Sequence, residues 1–397
     1  MEPEVSSWGM ACVKRADIGM ASALGLLWPL TAAQVWWLAP ALSIGLPLLA
    51  GGGERRSRRF GVALAYMLPA TWGILPSCSE FFPGHGAWIG IASWLATALI
   101  LAAPYVLAKN GRWTVMAMLL QAIPPIGLVD VISPFAAAGV DLGPGSGAVG
   151  ILVLLAVIGG AVSMLANDSD GIRCLRIGFI LPLLAGLGFV HVQERFDWRA
   201  SIPKGWAAVS TQGLLPSGGN VFKSLSNAAS VVQAGLAYPA RFEVFPEAVL
   251  DDMLPGTVDL VEEAIPAGET WLIGAENGET DSVYAFRRGG TPAKLFDSAL
   301  PMPLSMWRPG SRDSYQAAWW EPVRKIGRLR IWSSICYEQV LPWAWLEALW
   351  QRPDLILLQS NAWWADQGNP SPAIQAAQAR AWALLLGVPV IRASNTR

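Results

Sequence analysis

Apolar residues come in long unbroken blocks in the first half of the chain and in short runs in the second. The blocks cover residues 18–33, 35–50, 60–76, 87–107, 114–133, 147–166 and 175–192. About 20 apolar residues cross a bilayer core, so the last four blocks predict membrane spans. The first two are shorter, and fit a tilted pair, a re-entrant hairpin or one long helix kinked at Pro29. From about residue 200 the runs turn β-rich, separated by Gly, Pro and polar clusters. They predict strands over 206–211, 241–245, 270–274, 282–287, 329–336 and 355–360, and helices over 220–237 and 371–386. Such alternation implies a layered α/β fold with both sheet faces covered. The expected organisation is a membrane bundle of about seven helices, residues 1–194, followed by a water-soluble α/β domain, residues 200–397.

Charge orients the bundle. Lys14 and Arg15 precede the first block, and Arg55, Arg56, Arg58 and Arg59 follow the second. Lys109 and Arg112 follow the fourth, and Arg173 and Arg176 the sixth. The loops around Gln34, Glu80 and Asp141 hold neither Lys nor Arg. Positive residues mark the cytoplasmic side, and here they occupy every second loop. Seven crossings from a cytoplasmic N-terminus put the α/β domain outside, in the periplasm of a bacterial inner membrane. The first block also has the pattern of a cleavable signal ending at Thr31-Ala32-Ala33, which leaves this topology unchanged. Trp36, Trp37, Trp88, Trp113 and Trp198 fall at span ends, as an interfacial belt does. Asp130 lies near the outer end of its span, where its carboxylate is expected to snorkel to water.

Charged residues make up 14% of the chain, against about 25% in soluble domains. A net charge of −1 gives no reason to expect a nucleic-acid partner. The four cysteines have no metal spacing, and two histidines leave almost nothing for a zinc site or a His-based triad.

Candidate chemistry concentrates in the second half. The apolar run 330–336 ends in Cys336, and a strand can aim a side chain at its end into a cleft. Glu338 shares the face of Cys336 if the strand persists that far. A buried core cysteine is the plainer alternative. Upstream, Pro246-Glu247 sets a carboxylate at a strand end, with the proline fixing the turn; an ordinary surface acid fits the same pattern.

Four ordered motifs then carry a resemblance: Ile335-Cys336-Tyr337-Glu338, Ser360-Asn361-Ala362-Trp363-Trp364, a helix with Gln375, Gln378 and Arg380, and Ile391-Arg392-Ala393-Ser394-Asn395-Thr396. Residues from about 200 to 397 resemble the nitrilase (carbon–nitrogen hydrolase) superfamily, and within it the apolipoprotein N-acyltransferase branch. The resemblance implies an α-β-β-α sandwich, no cofactor and no metal. Glu247 takes the family's general-base position and Cys336 that of the nucleophile, with Tyr337, Glu338, Asn361 and Trp363 around the pocket. A phospholipid acyl donor and a lipoprotein-like amine acceptor are implied with it.

Two departures stand out. Anchored on Pro303, the triad lysine position holds Ser298, and a further family glutamate falls on Met306. Lys294, four residues upstream, is the first substitute to consider, but it needs a register shift or bulge to reach the site. Lys325 and Arg308 are weaker substitutes. The chain also stops at Arg397 where the family continues, so a C-terminally shortened sheet with an uncovered edge is expected. The combination of bundle and domain resembles membrane-anchored nitrilase relatives of conjugal plasmid transfer, which implies partners among the conjugation-system proteins. Two functions remain open: a thiol acyltransferase or amidase, and a catalytically impaired scaffold or docking module.

Overall fold

The computed structural model describes residues 7–82, 84–166, 170–195, 202–250 and 253–397. The chain falls into two compact units, Met1–Phe196 with Val340–Trp343 and Gln367–Gly387, and Asp197–Gln339 with Ala344–Asp366 and Val388–Arg397. Trp198 and residues 196–200 of the boundary expected between 194 and 200 lie outside the described residues.

The first unit is helical. Its elements are α1 (Ser7–Thr31), α2 (Leu38–Leu42), α3 (Gly45–Ala50), α4 (Arg56–Ala70), α5 (Ile74–Phe81), α6 (Gly86–Ala102), α7 (Gly111–Ala122), α8 (Ala137–Asp141), α9 (Gly147–Leu165) and α10 (Asp170–Arg195). Among the described residues, two helical segments, Gly86–Leu107 and Gly147–Leu165, are long and apolar enough to cross a membrane. The pair α4 and α5, bent by 45°, would make a third if it is one span. On α9 the apolar side chains face outward as well as inward: Val149 and Leu152 are 69% and 65% exposed. A helix apolar all round needs an apolar surround.

The stretch 114–133 is not the single helix its hydropathy suggests. Pro124 and Pro125 cannot donate backbone bonds, and they push Ile123 out of the helical region into extended backbone. α7 therefore ends at Ala122, and short 3₁₀ turns follow. Asp130 does not snorkel. Its side chain is fully buried and accepts from Gln121 Nε2 at 2.9 Å, while Tyr105 Oη donates to Gln121 Oε1 at 3.0 Å. Two of the loop arginines are also engaged, Arg58 with Asp17 and Arg59 with the carbonyl of Val106.

The second unit holds two five-stranded mixed sheets. The first has the order β1 (Trp206–Ala208), β3 (Phe242–Val244), β4 (Thr270–Glu276), β5 (Asp281–Phe286) and β6 (Ala293–Asp297). The second has the order β2 (Thr211–Gln212), β10 (Val390–Thr396), β9 (Leu355–Ala362), β8 (Leu329–Ile335) and β7 (Arg324–Ile326). The run predicted as one strand over 206–211 is split between them. Val209 N donates to Val244 O at 2.8 Å on one sheet, and Ser210 Oγ accepts from Ser394 N at 3.2 Å on the other. The last strand, β10, is not an edge, because β9 and β2 pair with it on both sides.

Alternate residues of the two sheets meet in one core. Val244, Leu272, Val283 and Phe296 from the first interlock with Ile331, Leu355, Leu357 and Ile391 from the second. The other face of the first sheet is covered by α11 (Val221–Leu236) and α12 (Pro255–Ala264). Asn220 caps α11 by accepting from Lys223 N, and Ser224, Ala228, Val231 and Gly235 form its buried stripe at helical spacing. On the second sheet Trp332 packs on Trp345 of α13 (Pro342–Gln351), ring centroids 5.3 Å apart. The helix α14 (Ser371–Leu386) belongs with the first unit, joined to it by Ser77 Oγ to Ser371 Oγ at 2.8 Å and Asn369 Nδ2 to Glu80 Oε2 at 2.8 Å.

Candidate functional site

β8 ends one residue earlier than its apolar pattern, at Ile335, because Cys336 takes a left-handed backbone with φ of 46°. A 3₁₀ turn over Cys336–Val340 follows. Glu338 therefore does not continue the strand face. It turns back, accepting from Ile335 N with one carboxylate oxygen and from Ala299 N at 2.7 Å with the other. Fully buried, Glu338 pins the cysteine turn to the segment after β6. Burial raises its pKa well above the usual carboxylate range, and the two N–H donors pull the other way.

Glu247 follows β3 through Phe245-Pro246. The carbonyl of Pro246 accepts from Gly274 N at 3.1 Å. A Cβ on Gly274 would lie 2.4 Å from Pro246 O and 2.5 Å from Glu247 Cα, so only glycine lets β4 pass this close. Asn361, at the end of β9, holds the glutamate twice: its N–H donates to Glu247 Oε2 at 2.8 Å, and its Nδ2 donates to Glu247 O at 3.0 Å. Asn395 on the neighbouring β10 in turn donates from Nδ2 to Asn361 Oδ1 at 2.8 Å and to Leu214 O at 2.7 Å. The two Ser-Asn motifs are thus successive rungs of one ladder ending on Glu247.

Cys336 and Glu247 meet: the thiol is hydrogen-bonded to the carboxylate. Glu247 is also hydrogen-bonded to the side chain of Asp281, which is 2% exposed at the start of β5. The strongest charged influences on the thiol are Glu247 and Asp281, both acidic. Burial raises the Cys336 pKa first and these carboxylates raise it further. Burial also lifts Glu247 to about 7, with Glu276 adding to the rise and Cys336, Asn361 N and Asp281 opposing it by hydrogen bonds. Asp281 is raised well above the usual carboxylate range, by burial first and then by the neighbouring Glu247 and Glu276.

The other predicted residues divide. Ser298 is buried near this cluster: its N–H donates to Asp281 O at 2.8 Å, and its Oγ has no hydrogen-bond partner. The bulge in β5–β6 pairing does exist, between Val283 and Tyr284. It leaves Lys294 nevertheless 40% exposed, ion-paired with Asp297 at 2.9 Å. Arg308 is exposed and donates to Asp313 O, and Lys325 is exposed on β7 opposite Arg330. Tyr337 and Trp363 are half-buried. No motif marks Asp281; its signal in the sequence is an acid opening the largely apolar run Ser282-Val283-Tyr284-Ala285-Phe286.

No family model matches the chain. It is 27% identical over 388 residues to the probable conjugal transfer protein TraB of Sinorhizobium fredii (strain NBRC 101917 / NGR234), covering 91% of this chain and 95% of that protein. It is 26% identical over 424 residues to the conjugal transfer protein TraB of Agrobacterium fabrum (strain C58 / ATCC 33970), covering 98% and 97%.

Proposed function

We propose that this chain is a multi-pass inner-membrane protein of conjugal plasmid transfer whose α/β unit performs cysteine-dependent acyl transfer or amide hydrolysis. Similarity to two conjugal transfer proteins over nearly the whole chain supports the first part. One observation carries the second: the Cys336 thiol, on left-handed backbone at a strand end, is hydrogen-bonded to Glu247. Left-handed backbone costs a non-glycine residue about 1–2 kcal/mol, a strain kept chiefly where a side chain must be aimed. The helix, sheet, sheet and helix layers support a nitrilase-like sandwich. Basic residues in alternate loops support a periplasmic location for it.

In the proposed cycle Glu247 takes the thiol proton as the sulfur attacks an acyl carbonyl. The tetrahedral adduct collapses to a thioester on Cys336, and the proton leaves with the departing oxygen or nitrogen. An amine or water then attacks the thioester and returns Cys336 to the thiol. A membrane phospholipid fits the donor role, and an amine on a conjugation-system protein the acceptor role. The test is intact mass spectrometry of the full chain, purified in detergent and given a short-chain phospholipid. A hydroxylamine-labile acyl adduct on Cys336, absent from Cys336→Ser, is expected; its absence from the native chain refutes the chemistry.

A docking module without catalysis is the second reading, and the acidic surroundings of the thiol favour it. Ser298 supplies one hydroxyl where the resembled family has an ammonium group. Loss of an oxyanion donor costs about 2.7–4 kcal/mol, a hundred- to thousandfold in rate. In that reading Cys336→Ser leaves plasmid transfer unchanged.

A further inference from the structure

A concavity lies at the other end of the sheets from Cys336 and Glu247. Cys336 and Glu247 sit at the C-terminal ends of β8 and β3, whereas this cleft is formed where β3 and β4 open, where antiparallel β5 closes, and where β7 ends in the turn before β8. β8 is seven residues long, so the two sites are roughly 20 Å apart along it. The cleft encloses about 650 Å³, within the range of small-molecule sites.

Its lining is of two kinds. The floor is apolar, made by Phe242, Leu272, Ala285, Leu295 and Ile326. The rim carries Arg241, Arg287, Arg288 and Lys325. Arg241 lies over the Phe242 ring at 5.3 Å, and Arg287 Nε donates to Thr270 Oγ1 at 3.1 Å, which orients both guanidinium groups. None of the four makes an ion pair among the described residues. Glu269, the single acid in the lining, accepts from Trp271 Nε1 at 3.3 Å. Four like charges around one cleft repel one another, and an anion between them removes that repulsion. Arginine forks match phosphate oxygens in pairs.

We propose that this cleft binds a phosphate-bearing anion with an apolar body, the rim taking the phosphate and the floor the carbon skeleton. The ligand is an anionic lipid headgroup or a free organic phosphate, which share this chemistry. The site is separate from Cys336 and stands whether or not that thiol is catalytic.

The experiment uses the full chain in phosphatidylcholine nanodiscs, titrated calorimetrically with inorganic phosphate, glycerol 3-phosphate and dihexanoyl phosphatidic acid. Saturable binding of one or more probes is expected, weakened about tenfold or more in Arg287→Gln/Lys325→Gln, as loss of charge-assisted contacts implies. Lys294→Gln, whose lysine is outside the cleft, should bind as the native chain does. Binding of the lipid alone assigns a membrane source; binding of glycerol 3-phosphate as well assigns a free phosphate. Rim variants with unchanged thermal midpoints exclude misfolding, and Arg288→Gln gives a second, independent reading. The proposal is overturned if no probe binds, if the rim variants bind like the native chain, or if Lys294→Gln weakens binding equally.

Discussion

Replacing Glu247 with glutamine removes a charge while keeping an oxygen to accept from Asn361 N. Burial and Glu276 raise the carboxyl from an ordinary 4.5 to about 7 in the folded chain. At about 1.36 kcal/mol per unit, that rise corresponds to about 3 kcal/mol. The folded state holds the proton more tightly than the unfolded state. Its contribution to stability is therefore complete below about pH 4.5 and is lost as pH climbs through about 7. Glu243 and Glu321, each raised to about 8 by burial, slope the same way and remain in the variant. The assay is denaturant unfolding of both full chains in one detergent, at pH 5 and pH 8. Relative to the native chain, Glu247→Gln should gain about 3 kcal/mol on going from pH 5 to pH 8. An offset equal at both pH values would refute a buried, proton-binding Glu247.

Three other substitutions probe the frame. Gly274→Ala forces a Cβ into Pro246 O and Glu247 Cα; it should lower stability by about 3 kcal/mol or more and displace the glutamate, seen as a lower unfolding midpoint. Asn395→Ala leaves Leu214 O and Asn361 Oδ1 unpaired and should cost about 1–3 kcal/mol by the same assay. Glu338→Ala frees the N–H groups of Ile335 and Ala299 and opens the cysteine turn, so Cys336 should become readily alkylated by iodoacetamide, against slow labelling in the native chain.

Much of the α/β frame could be read in advance because its signals are local. The helix expected over 220–237, the buried runs before Cys336 and Asn361, and Pro246-Glu247 are each set within a few residues. Short edge elements were harder: β6 and β7 carry exposed residues such as Lys294 and Lys325, and no alternation distinguishes them from loop. Pro124-Pro125 break the helix after Ala122, a local signal that average hydropathy over 114–133 does not register. What hydropathy could not show is that Asp130 finds Gln121 inside the bundle, a long-range partner that stands in for water. Similarly, Cys336, Glu247 and Asn361 were legible one by one, whereas Asp281 enters only through the pairing of β4 with β5. Glu338 does not share the strand face of Cys336, because a positive φ at Cys336 ends the strand, whereas single-strand periodicity assumes continuation.

The most direct test is mating frequency from donor cells whose plasmid encodes Cys336→Ala, compared with native donors at matched membrane levels of the protein. A chemical role for the sulfur predicts a fall of about a hundredfold or more, the scale on which nucleophile loss acts. Transfer at the native frequency would contradict it.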